Sequence, residues 1–127
     1  MKYICDTNFI LRYLLADNQK IFIKTKEIFD QAKTGQITLI LEQTIFTEVI
    51  FILSSFYKVP KDKICSTLAE MLTYKGIQSD KKCLLLALDY YLQHNIHIVD
   101  SILLAKANTV DAPILSFDQK LIELQKS

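Results

Sequence analysis

The chain has 127 residues, half of them hydrophobic and 23% charged, with a formal net charge of +1. That is one domain's worth of sequence, too apolar for a disordered chain and too nearly neutral for a whole-protein field that draws in nucleic acid or membrane. With only two Gly and two Pro, neither a collagen-like chain nor a Gly-rich phosphate loop can be built.

Lys-Tyr-Ile-Cys at 2–5 predicts a short strand that ends at Asp6, and residues 8–15 predict a first helix. Ile21, Ile28, Phe29 and Ala32 share one stripe, which predicts a helix over 19–34 stopped by Gly35. Residues 36–41 predict a buried strand and the very apolar stretch 44–57 a helix. Pro60 suits the first turn of a helix over about 60–74, ended by Gly76. Residues 76–79 make a weak strand, and Asp80 caps a helix of about 81–95. A turn or short extended piece at 96–99, a helix at about 100–109, a last strand at 113–116 opened by Pro113 and a terminal helix at about 118–126 complete the chain. This alternation predicts an α/β fold: a three-layer α/β/α sandwich around a central, mostly parallel sheet, in a single domain over 1–127. The near-continuous apolar strands imply burial on both sheet faces.

Cys5, Cys65 and Cys83 are odd in number and form no CxxC pair. They are expected to be buried free thiols of a cytoplasmic protein, not a disulfide framework or a zinc site. Asp6 and Arg12 interrupt the first apolar segment, so no secretory signal is expected. No charge-free apolar run approaches the ~18 residues of a membrane span. His94 and His97 have no Cys near them and are expected at the surface or at helix ends. The mean hydropathy is high for a small soluble domain, which points to an oligomer or a partner surface.

In an open parallel sheet, ligands bind beyond the carboxyl ends of the strands. Asp6 and Asp118 follow the first and last predicted strands. Each also suits a helix N-cap, as does Asp100 at the head of its helix. Glu48 has Ile45, Phe51 and Ile52 as its helical neighbours and no Lys or Arg within a turn, so a solvated position is not expected for it. Carboxylates that share one place repel unless a cation sits between them. Mg²⁺ takes oxygen ligands, and metal-assisted phosphoryl transfer is the chemistry that calls for such a set.

Asp6-Thr7-Asn8 followed by Leu11-Arg12-Tyr13-Leu14-Leu15, Glu48 in an apolar helix, Asp100 ahead of Ile102 and Ala105, and Ser116-Phe117-Asp118 together resemble the four motifs of a PIN-domain ribonuclease. The resemblance is strongest to the toxins of VapBC-type toxin–antitoxin systems and runs from Asp6 to Asp118. It implies a PIN-like sandwich in which Asp6, Glu48, Asp100 and Asp118 meet, hold Mg²⁺ or Mn²⁺ and hydrolyse RNA phosphodiesters through an activated water. By the same resemblance, Asp6, Asp100 and Asp118 hold the principal metal, and Glu48 holds a second metal or orients the water. Asn8 and Ser116 position ligands or phosphate. A homodimer and a cognate antitoxin that occupies the site are implied as well. Two residues past Asp118, where some members carry another acid, this chain has Lys120.

Setting the four site acids aside leaves 14 − 4 = 10 negative charges against 15 positive ones, a surplus that RNA can use. Lys58, Lys61 and Lys63 cluster, as do Lys81 and Lys82. Arg12, the one Arg, is a candidate substrate contact because its fork can grip phosphate, or a surface residue. The rival reading is a catalytically inactive PIN domain that binds RNA or protein. Retention of all four acids speaks against it. A receiver-like signalling domain is disfavoured because Cys5 precedes Asp6 and the run 36–41 ends without Asp.

Overall fold

Three short strands form one parallel sheet in the order β1-β2-β3: β1 (Lys2–Ile4), β2 (Thr38–Ile40) and β3 (Ile77–Gln78). Tyr3 pairs with Leu39, and Leu39 with Ile77. The computed structural model describes residues 1–126, and they fall into two compact units, Met1–Ser79 and a second that begins at Asp80.

The first unit carries the sheet with α1 (Thr7–Leu15), α2 (Gln19–Lys33), α3 (Gln43–Ser55) and α4 (Lys61–Leu72). Local chemistry sets the joints. Asp6 is extended, and its carboxylate accepts the Phe9 N–H at 2.8 Å, so strand turns into helix at that residue. Ala16, left-handed at φ 50°, ends α1, and the Asn18 side chain caps α2 through the Ile21 N–H. Phe29, Leu39, Phe46, Ile50, Ile64 and Leu68 are all but fully buried. Burying each such side chain contributes about 1.5–3 kcal/mol. Tyr13 stacks on Phe29 with ring centroids 4.0 Å apart, and its hydroxyl bonds that of Tyr74 at 2.9 Å. The expected burial on both sheet faces does not hold: the register partners Leu39 and Ile77 bury one face, whereas Ile40 is half-buried, Gln78 is exposed and Ile4 of the edge strand β1 is 69% exposed.

The second unit contains α5 (Lys81–Gln93), α6 (Ile98–Val110) and α7 (Gln119–Lys126). Asp80 caps α5 as expected, accepting the Cys83 N–H at 3.3 Å. Leu84, Ala87 and Leu88 of α5, Ile102, Leu104 and Ala105 of α6 and Leu121 of α7 are buried. All three cysteines are free and buried. No helix among the described residues is long and apolar enough to cross a membrane.

Two sequence expectations are corrected here. Residues 113–116 are not a strand; Leu115 is 97% exposed. The ladder groups of this segment are diverted. Pro113 has no N–H, the Ile114 N–H goes to Gln125 Oε1 at 2.8 Å, and the Ala112 carbonyl accepts Gln125 Nε2 at 2.7 Å. The helix expected from about 100 begins at Ile98, with His97 at its N-cap, so Asp100 lies in the first turn and is not the cap. An acid there still gains from the partial positive charge of the helix N-terminus.

Candidate active site

Asp6, Thr7, Asn8 and Leu11 of the β1–α1 junction and Ile45, Glu48 and Ile52 of α3 line one open cleft of about 400 Å³ in the first unit. The β1–α1 junction places Asp6 at the carboxyl end of β1, where a parallel sheet presents ligand-binding groups. The Phe9 N–H fixes one of its carboxylate oxygens. Directly before it, burial and then the charge of Asp6 push the Cys5 thiol up to about 11. Cys5 is therefore protonated at neutral pH, whereas the form that binds metal is the thiolate.

Glu48 is exposed, which corrects the expectation that it avoids solvent. The buried stripe of α3 is Phe46, Val49, Ile50 and Leu53, and Glu48 stands on its shoulder. Half-buried Ile45 and Ile52 flank it on the cleft side.

Arg12 is engaged away from the cleft. Its NH1 bonds both carboxylate oxygens of Asp17, at 2.8 and 2.7 Å, and its NH2 bonds the Tyr57 hydroxyl at 2.9 Å. The bond to Tyr57, more than the charge of Asp17, holds its pKa above the ordinary value. The fork that a phosphate contact needs is occupied, so the geometry makes Arg12 a clamp between the α1–α2 turn and the end of α3. Arg12→Ala is expected to destabilise the fold by about 1–2 kcal/mol, because it removes three charge-assisted but partly solvated bonds. Urea denaturation checks this, and Arg12→Lys, which keeps charge without the fork, should recover less than half of the loss.

Asp100 and Asp118 belong to the second unit. Asp100 is half-buried in α6, next to Ser101, whose hydroxyl donates to the His97 carbonyl at 3.1 Å. Asp118 is exposed, and one of its oxygens accepts the Lys120 and Leu121 N–H groups at 3.0 and 3.3 Å, which makes it the cap of α7. Ser116 Oγ accepts the Asp118 N–H at 2.9 Å. Lys120 Nζ donates to the Asn95 carbonyl at 3.0 Å.

The structure thus brings two of the four acids, Asp6 and Glu48, to one cleft. Among the described residues, no group of three or more His, Cys, Asp or Glu is gathered as a metal site. The donor chemistry of the cleft nonetheless fits a hard cation. It offers two carboxylates and an amide, and Mg²⁺ is commonly held by one or two carboxylates with water filling the rest. A buried hydroxyl without a hydrogen-bond partner, Thr7 Oγ1, belongs to a lining residue as well. In the sequence Thr7 stands unmarked within Asp6-Thr7-Asn8, and its place as the first residue of a helix that follows a strand is the one signal for it.

Searches of the curated proteins and of the solved structures each found no match. A family model described as the PIN domain matches residues 3–127, a span that takes in Asp6, Glu48, Asp100 and Asp118. With a match over nearly the whole length and an α/β architecture with an all-parallel sheet, the chain belongs to the PIN domain family, whose members are generally nucleases.

Proposed function

We propose that this chain is a metal-dependent endoribonuclease that hydrolyses RNA phosphodiester bonds. It acts over 1–127 as one PIN-like nuclease domain and is the toxin of a cytoplasmic toxin–antitoxin pair. The observation that carries this reading is the cleft that Asp6 and Glu48 both line in a chain of the PIN family. Two carboxylates alone would repel each other and an RNA backbone alike. Mg²⁺ or Mn²⁺, when bound, supplies an activated water and neutralises charge that builds on the phosphate.

The chain's own residues do the rest. Asp6 is held by its bond to the Phe9 N–H, so its carboxylate does not have to be ordered when a ligand arrives. Glu48 is exposed, so its carboxylate is open to an arriving cation, with half-buried Ile45 and Ile52 lining the cleft beside it. The Asn8 amide can donate to a phosphate oxygen. Asp100 and Asp118 are proposed as the remaining catalytic, metal-holding acids, with Ser116 positioning ligand or phosphate. The lysine surplus supports a salt-dependent grip on RNA. Exposed Phe51, Phe56, Val110 and Phe117 support a homodimer and a cognate antitoxin as partners.

The test is cleavage of total cellular RNA by purified, antitoxin-free protein, with Mg²⁺ or Mn²⁺, with EDTA and with Asp100→Asn. Discrete fragments that require both metal and Asp100 are expected, and the fragments identify the target RNA. Folded protein that cuts nothing with either metal would replace this reading by that of an inactive binding module.

A further inference from the structure

Three helical threonines in this chain return their hydroxyl to a carbonyl one turn back. Thr25 bonds Phe22 at 3.0 Å, Thr47 bonds Gln43 at 2.9 Å and Thr109 bonds Ala105 at 2.7 Å. Thr7 has no such recourse. It is the first residue of α1, and the residues three and four back, Ile4 and Tyr3, lie in β1. Its side chain is nevertheless enclosed: Thr7 is 6% exposed, and Oγ1 makes no hydrogen bond among the described residues.

A buried hydroxyl left unpaired is costly and uncommon in a native fold, so this one asks for a partner that arrives later. Thr7 lines the same cleft as Asp6, Asn8 and Glu48. Carboxylates accept hydrogen bonds and donate none, so they leave the lone pairs of Oγ1 unserved. Mg²⁺ and Mn²⁺ suit such a site because Mg²⁺ dehydrates reluctantly and keeps several waters. The cation polarises those waters into strong donors.

We propose that Thr7 is a positioning residue of the Asp6–Glu48 cleft, whose hydroxyl accepts a hydrogen bond from a water carried by the divalent cation bound there. This rests on the metal-dependent reading above. Thr7 touches neither the cation nor the reacting phosphate. It orients the hydration shell, and through that shell it sets how tightly the cation is held.

Calorimetric titration of the full-length protein with Mn²⁺ tests the assignment without any assay of activity. Thr7→Val keeps the shape and removes the hydroxyl, and it is expected to weaken Mn²⁺ binding about tenfold, the usual scale for a group that supports metal ligands. Thr7→Ser restores the hydroxyl and should restore affinity to within about twofold of the parent. The melting temperature of Thr7→Val in EDTA should stay level or rise, since an unpaired buried hydroxyl has been removed. Equal Mn²⁺ affinity in the parent and Thr7→Val would overturn the role of Thr7 and leave the metal reading standing. A parent that binds no Mn²⁺ would overturn both, and an Asp6→Asn control that binds as tightly as the parent would move the cation out of this cleft and Thr7 with it. A loss that Thr7→Ser does not restore would mark the residue as structural only.

Discussion

Asp6→Asn is expected to lower metal-dependent RNA cleavage about 100- to 1000-fold while leaving the fold intact. The size follows from the charge removed. A carboxylate on a cation that stabilises the transition state is worth several kcal/mol, and each 1.36 kcal/mol is tenfold in rate. The specificity follows from local structure. Asp6 does two things at once, capping α1 through the Phe9 N–H and facing the cleft. Asn is as good an N-cap as Asp, so the substitution removes the charge and keeps the cap. Asp6→Ala would remove both and lose about 1 kcal/mol of stability as well. Glu48→Gln is the companion change, on an exposed side chain that the core does not use. Initial rates on a defined RNA at saturating Mn²⁺, with melting curves on the same samples, separate the two effects. Asp6→Asn protein that melts like the parent and still cuts within threefold of its rate would remove Asp6 from the catalytic set.

Much of this was legible because the decisive signals are local. Asp6 reads as the end of a strand and the cap of a helix from its neighbours alone, and so does Asp80. The stripe Ile21, Ile28, Phe29 and Ala32 marks α2, with Phe29 and Ala32 buried and Ile21, in the first turn, left 41% exposed, and Gly35 at φ +82° stops the helix as expected. The failures are of another kind. Glu48 sits among apolar residues in sequence, but burial depends on which stripe of α3 packs inward. Phe46, Val49, Ile50 and Leu53 claimed that stripe. Residues 113–116 have strand composition, yet one glutamine eleven residues on takes up the Ile114 N–H. Arg12 offers a free fork in the sequence, but in the fold both of its terminal nitrogens are engaged, one of them by Tyr57, 45 residues away. Each error came from a partner that composition and period do not name.

Gly76 is the sharpest case of such a hidden partner, and Gly76→Ala is expected to destabilise the protein by about 3–5 kcal/mol. The sequence presents Gly76 as a helix stop, but α4 ends at Leu72, with Thr73 as its cap. What requires glycine is proximity. A Cβ at Gly76 would lie 2.1 Å from the Ile37 carbonyl oxygen, 2.7 Å from that of Ala32 and 3.0 Å from Ala32 Cα. All three are backbone atoms and cannot swing aside as a side chain would. Gly76 also donates its N–H to the Ala32 carbonyl at 2.7 Å and accepts the Leu39 N–H at 2.8 Å. Moving it away loosens two buried bonds and draws β3 off β2, in addition to the steric cost. A typical domain is stable by only 5–15 kcal/mol, so a loss on this scale lowers the melting temperature by roughly 10–20 °C. Gly35→Ala is the built-in contrast. Its Cβ would meet only the flexible Lys75 side chain, at 2.9 Å, and the strain of φ +82° costs about 1–2 kcal/mol. Urea titrations of the two variants should therefore rank Gly76→Ala well below Gly35→Ala. The reverse order would mean that the β2–β3 seam gives way more easily than its backbone packing implies.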